Sequence, residues 1–204
     1  YYDTQNDTQI VNKPLYIIDG YDPNDKRKIE KSDEGHNPDE KSIRQLMSYD
    51  LDNNINTDND EDLVRELNEQ GYDVIIVNHP VYTNNGKEID GGSDYIERNA
   101  YTFISLMRHI KSLQQGTEKA VVIGPSMGGL ITRYALAYME KKYAETGLEK
   151  WNHNTRLWVS FDSPHQGANI PIGLQKGIQY FAEELETEAA KRFINEELSK
   201  PAPK

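Results

Sequence analysis

The chain has 204 residues, no cysteine and a formal net charge of −11. Its length suits one domain with its own core. The missing cysteine excludes disulfides, thiolate catalysis and cysteine-ligated zinc, and the acidic balance argues against a nucleic-acid partner or an anionic membrane surface.

Residues 13–20, KPLYIIDG, hold a short apolar β-rich run that stops at Gly20. Residues 21–62 then interrupt the pattern with 13 acidic and 6 basic side chains, most of the net charge, and this composition predicts a solvated insertion. Inside it, residues 50–62, DLDNNINTDNDED, are rich in oxygen ligands and could hold calcium. They lack the glycine and closing glutamate spacing of an EF-hand loop, so a solvated loop is the simpler reading. Residues 61–70 put Leu63, Val64 and Leu67 on one helical face, with Gly71 placed as the C-cap.

Residues 73–78, DVIIVN, predict a second strand. A long helix is predicted over 94–115, with Asp94 and Glu97 in capping-box spacing and Ile96, Ala100, Phe103, Ile104, Met107 and Ile110 at helical period. Residues 119–124, KAVVIG, are a third strand, and 128–143 a helix carrying Leu130, Ile131, Tyr134, Ala135 and Tyr138. Residues 156–161, RLWVSF, are a fourth strand. Residues 173–199 read as one or two amphipathic helices before a loose KPAPK tail. No run of 18 apolar residues occurs, as a helical membrane span would need. The predicted strands are four to six residues long and apolar on both faces, and they alternate with helices. That pattern predicts an α/β fold: a mostly parallel sheet, buried on both sides, with right-handed crossovers.

One corner carries chemistry. Gly124-Pro125-Ser126-Met127-Gly128 joins the third strand to the helix after it. A tight strand-to-helix turn strains its central residue and projects that side chain from the carboxyl edge of the sheet. Neighbours two positions away must be small, or they collide with strand and helix. The turn also aims backbone N–H groups and a helix N-terminus at whatever Ser126 attacks, and such donors stabilise an oxyanion.

GPSMGGLITRYAL resembles the nucleophile elbow of lipase- and esterase-like α/β-hydrolases. PLYIIDGYDP, residues 14–23, resembles the strand before that family's oxyanion loop, with Asp19-Gly20 where His-Gly is more usual. FDSPHQGANIP, residues 161–171, resembles the Pro-His-x-Gly turn after the next strand in many bacterial lipases. The resemblance covers about residues 14–171 and implies a single α/β-hydrolase domain. It makes Ser126 the nucleophile, the Met127 N–H one oxyanion donor and the Tyr21 N–H the second. It also puts helices of about residues 172–199 where the family often carries a lid.

In this fold the triad order is serine, then Asp or Glu, then His. After Ser126 the possible acid is Asp162 and the histidines are His153 and His165. His153 precedes a strand, at the wrong end of the sheet. His165 follows a strand at the catalytic edge, yet in the resembling lipases this histidine braces its turn, and the catalytic one comes two strands later. A base only three residues past its acid would need an unusual turn. Before the serine, His109 lies on the long helix and His79 ends a strand where it can line the pocket. The expectation is therefore an N-terminal portion of a longer hydrolase, with its sheet incomplete at the C-terminal end and its histidine elsewhere.

The function implied is hydrolysis of a small-molecule or lipid ester through an acyl-enzyme on Ser126, with no cofactor. An amidase, peptidase or acyltransferase could use the same scaffold, and a binding module that lost its base would keep the same elbow. The chain begins at Tyr1 rather than Met, which reads as a processed, trimmed or fragmentary protein, and a secreted or periplasmic location is expected.

Overall fold

A computed structural model describes residues 10–50, 60–167, 171–173, 176–177 and 180. In chain order the elements are β1 (Pro14–Ile18), α1 (Ile43–Leu46), β2 (Ser48–Asp50), β3 (Asp60–Asp62), α2 (Leu63–Glu69), β4 (Asp73–Val77), β5 (Val81–Asn84), β6 (Lys87–Asp90), α3 (Ile96–Leu113), β7 (Ala120–Pro125), α4 (Met127–Thr146) and β8 (Thr155–Phe161). The four predicted strands are β1, β4, β7 and β8. They form one parallel sheet in the order β4-β1-β7-β8.

The pleat sends alternate residues of β1 to opposite faces. Tyr16 and Ile18 join Phe103, Met107, Ile131 and Met139 in the core under α3 and α4. Leu15 and Ile17 join Ile43 and Val64 in the core under α1 and α2. All five β1 residues are buried, which is why the run is apolar throughout rather than alternating. β8 departs from that expectation. It has one strand neighbour among the described residues, and its Leu157 and Phe161 are about half exposed.

The described part of residues 21–62 is more anchored than its composition suggests. Asp22, Asp25 and Ser42 are buried, and Ile43 is wholly so. Asp62 caps α2 by accepting from the N–H groups of Val64 and Arg65, and Arg44 bridges it to Glu30. Many of the charges therefore have partners inside the segment. Residues 51–59, the heart of the possible calcium loop, lie outside the described residues. Among those described, no cluster of three His, Cys, Asp or Glu side chains is arranged to hold a metal.

One local prediction is corrected, and one element without a sequence prediction emerges. Asp94 is not the cap of α3; Tyr95 occupies that position without a side-chain cap bond. Asp94 is buried and instead pairs with Arg98 one turn on, at 2.8 Å. Residues 81–90 form a β-hairpin whose Asn85-Gly86 corner has positive φ at both positions, 51° and 75°. Its few apolar residues gave no periodic signal, and only the Asn-Gly pair marks it. Gly71 follows the cap residue Gln70 in a left-handed conformation and donates to Asn68 O at 2.8 Å. The helices predicted over 173–199 fall largely outside the described residues. No helix among those described is long and apolar enough to cross a membrane.

Candidate active site

The chain leaves β1 for β4 on one side and later returns to β7 on the other. Connections thus diverge between β1 and β7, and a crevice opens beyond the carboxyl ends of those two strands, where parallel α/β sheets bind ligands. Asp19-Gly20 follows β1 at that edge, and Ser126 follows β7.

Ser126 has φ 49° and ψ −126°, a backbone state that side-chain-bearing residues rarely adopt. Three features enforce it. Its N–H donates to Phe161 O at the end of β8, at 3.1 Å. Its carbonyl accepts from Gly129 N at 3.1 Å as α4 begins. The flanking glycines allow backbone to meet backbone: a methyl group at Gly124 would lie 2.5 Å from Gly128 O, and one at Gly128 would collide with Ile18 O. Met127 is the first residue of α4, so its N–H belongs to the uncompensated first turn of a 20-residue helix.

Gly20 faces the serine across the crevice. A methyl group there would stand 3.2 Å from Ser126 Cβ and 3.6 Å from Ser126 Oγ. The loop that follows is pinned at several points. Asp19 N–H donates to Val77 O at 3.0 Å, and Asp22 N–H donates to Gly92 O at 3.1 Å. Arg27 Nη2 donates to Tyr21 O at 2.7 Å and lies 3.4 Å from Asp19 Oδ2. Arg27 N–H donates to Asp22 Oδ2 at 2.8 Å. Tyr21 is the residue these contacts bracket.

Two buried titratable groups adjoin this loop. Burial raises the Asp19 carboxyl to about 6, with the Arg27 charge opposing the rise. His79 ends the β4 edge of the crevice, and burial lowers its imidazole to about 4, with the Asp19 backbone within hydrogen-bonding reach opposing the fall. His79 Nε2 is buried without a hydrogen-bond partner among the described residues.

The other predicted residues are distributed as follows. His165 is exposed, and its Nε2 lies 2.8 Å from Ser160 Oγ in the same β8-to-turn segment, with Trp158 packed edge-on to the ring. Asp162 is exposed, with a left-handed φ of 49° where the chain turns out of β8. His153 lies before β8, beside Glu140 at 3.3 Å, and accepts from Thr155 N. His109 is exposed on α3. The structure sets Gly20 against Ser126, with Met127 next in the chain, Tyr21 following Gly20 and His79 beside the Asp19 backbone, while His165 is engaged with Ser160. Sequence reasoning missed Arg27, counted only as a charge in the insertion, and Ser160, counted only as a strand residue. Two surface cavities, one lined by Asp90, Asp94 and Arg98 and the other by Arg133, His153 and Trp158, lie elsewhere, and Ser126 borders neither.

A family model described as alpha/beta hydrolase fold matches residues 52–142, from before α2 through the elbow into α4. No curated protein and no solved structure matches the chain.

Proposed function

On the match of residues 52–142 to the alpha/beta hydrolase fold, we propose that the protein is a serine hydrolase that cleaves carboxylic esters through an acyl-enzyme on Ser126. The single observation that carries this reading is the strained backbone of Ser126, φ 49°, held at the carboxyl end of β7 and directly before α4. Strain of this kind costs on the order of 1–3 kcal/mol and persists where the surroundings enforce it, as at reactive side chains.

The chemistry follows from the arrangement. Ser126 Oγ attacks the ester carbonyl carbon while its proton passes to a general base. The carbonyl oxygen takes the negative charge and accepts hydrogen bonds from the N–H groups of Met127 and Tyr21. Collapse breaks the bond to the alcohol oxygen, which leaves with the proton. Water then attacks the acyl-enzyme by the same route and regenerates Ser126. His165 braces the turn after β8 through Ser160, and the base is a different residue.

The test uses the full-length protein and an activated nitrophenyl ester. Wild type is expected to turn the ester over and to be captured by a fluorophosphonate on the peptide containing Ser126. Ser126→Ala is expected to do neither. Equal turnover by Ser126→Ala, or the absence of capture, would overturn the assignment. An amide substrate cleaved faster than its matched ester would keep the nucleophile and replace the substrate class.

A further inference from the structure

A second oxyanion donor is useful only if its N–H is held still, because misplacement by about 1 Å costs on the order of 100-fold. Tyr21 lies in a loop, and loops are the mobile parts of a fold. The structure contains a device that removes this freedom. The peptide joining Tyr21 to Asp22 is held at both ends: its carbonyl accepts from Arg27 Nη2 at 2.7 Å, and its N–H donates to Gly92 O at 3.1 Å. Upstream, Asp19 N–H is tied to Val77 O. The same Arg27 guanidinium faces two acids of the loop, with Nη2 3.4 Å from Asp19 Oδ2 and Nε 4.0 Å from Asp22 Oδ1. Arg27 is one-fifth exposed, and both acids are buried. The guanidinium thus donates to the Tyr21 carbonyl and faces the two carboxylates as opposite charges; Arg27 Nε and Asp19 Oδ2 make no hydrogen bond among the described residues.

Backbone hydrogen bonds tie Asp19 and Asp22 on either side of Tyr21, and Arg27 adds a side-chain hold on the Tyr21 carbonyl itself. Gly20 leaves little room for a side chain, since a methyl group there would press on Ser126 Cβ, and Gly92 lies so close to Asp22 that a methyl group there would strike Asp22 O. Neither glycine carries a side chain that could lock the turn. Arg27 arrives from five residues beyond Asp22 and closes it from outside.

We propose that Arg27 is a positioning residue for the reaction: by donating to Tyr21 O while its charge pairs with the Asp19 and Asp22 carboxylates, it fixes the loop that presents the Tyr21 N–H to the oxyanion formed at Ser126. This rests on the reading of Ser126 as nucleophile and Tyr21 as donor. Arg27 touches neither substrate nor the reacting atoms. Its effect therefore falls on transition-state stabilisation, which lowers kcat and leaves KM nearly unchanged.

The experiment compares wild type, Arg27→Ala and Arg27→Lys in the full-length protein, with a nitrophenyl ester and a fluorophosphonate. Wild type is first shown to be captured at Ser126; failure there sinks the hydrolase reading and leaves Arg27 out of account. Given capture, Arg27→Ala is expected to lose about 10- to 100-fold in kcat, less than deletion of a donor outright. KM should stay within about twofold, and the rate of phosphonylation should fall in parallel with kcat. Millimolar guanidinium ion should restore part of the lost kcat in Arg27→Ala and have no such effect on wild type. If Arg27→Ala does not fold, Arg27→Lys keeps the positive charge and gives the same reading, with a smaller fall in kcat. Unchanged kcat in a folded variant, or a rise in KM alone, overturns the proposal.

Discussion

His165 Nε2 stands 2.8 Å from Ser160 Oγ, five residues back along the chain, and the Trp158 ring packs against the same imidazole. These contacts support a local structural task for the histidine after β8. His165→Ala is expected to lower stability by about 1 kcal/mol, the scale of one partly exposed hydrogen bond and its ring contact, and to leave kcat within a few-fold. Thermal melting and ester turnover check both. Normal melting with abolished turnover would make His165 the base.

Ser126 occupies a conformation that glycine adopts without strain. Ser126→Gly and Ser126→Ala should both be inactive, yet they should differ in melting. The glycine variant is expected to be more stable than the alanine variant by about 1 kcal/mol, because it releases the backbone strain that alanine retains. Equal melting temperatures would mean that little strain is stored at the elbow.

The elbow glycines should fail in another way. At Gly124 a methyl group meets Gly128 O at 2.5 Å, and at Gly128 it meets Ile18 O, all backbone atoms that cannot step aside. Gly128→Ala is expected to cost about 3 kcal/mol or more and to reduce soluble yield. Gly20→Ala is milder. Its methyl group would press on Ser126 Cβ at 3.2 Å, so turnover should fall more than stability does. A Gly20→Ala variant with wild-type kcat would show that the crevice has slack.

His79 and Asp19 titrate in opposite directions. An unfolded histidine takes up its proton near 6.5, while burial holds folded His79 neutral down to about 4. Its stabilising contribution is present above about 6.5 and is lost as pH falls toward 4, about 3 kcal/mol in all. Asp19 is raised by burial to about 6, so the folded state keeps a proton that the unfolded chain releases near 4. Stability from that group is present at low pH and is lost as pH rises to about 6. Arg27 and Asp22 face Asp19 and take part in the same balance. The two trends oppose each other between about 4 and 6, so wild type should show a shallow profile there. His79→Gln should lose the acid sensitivity, and the stability difference between wild type and variant should move against wild type as pH drops from 7 to 4. Denaturant melts at three pH values measure this. A difference constant with pH would mean that His79 is not buried neutral.

The sequence by itself determined the sheet and the corner. β1, β4 and β7 are short runs such as LYII and VVIG that a doubly covered parallel sheet accommodates, whereas β8 reads the same way in sequence but stands partly exposed, and the small residues around Ser126 are a direct steric record of a strand meeting a helix at a tight turn. These signals are local, because each depends on residues within one or two turns of chain. The tertiary structure alone decided what holds the crevice. Arg27 reads as one charge in an acidic run until the fold brings it against Tyr21 O and the Asp19 and Asp22 carboxylates. Gly92 reads as a loop residue until it meets Asp22, 70 positions away. His79 reads as the end of a strand until burial removes its water. Hydrogen bonds and desolvation act between groups adjacent in space, and spacing along the chain carries no record of them once the partners come from different connections of the sheet.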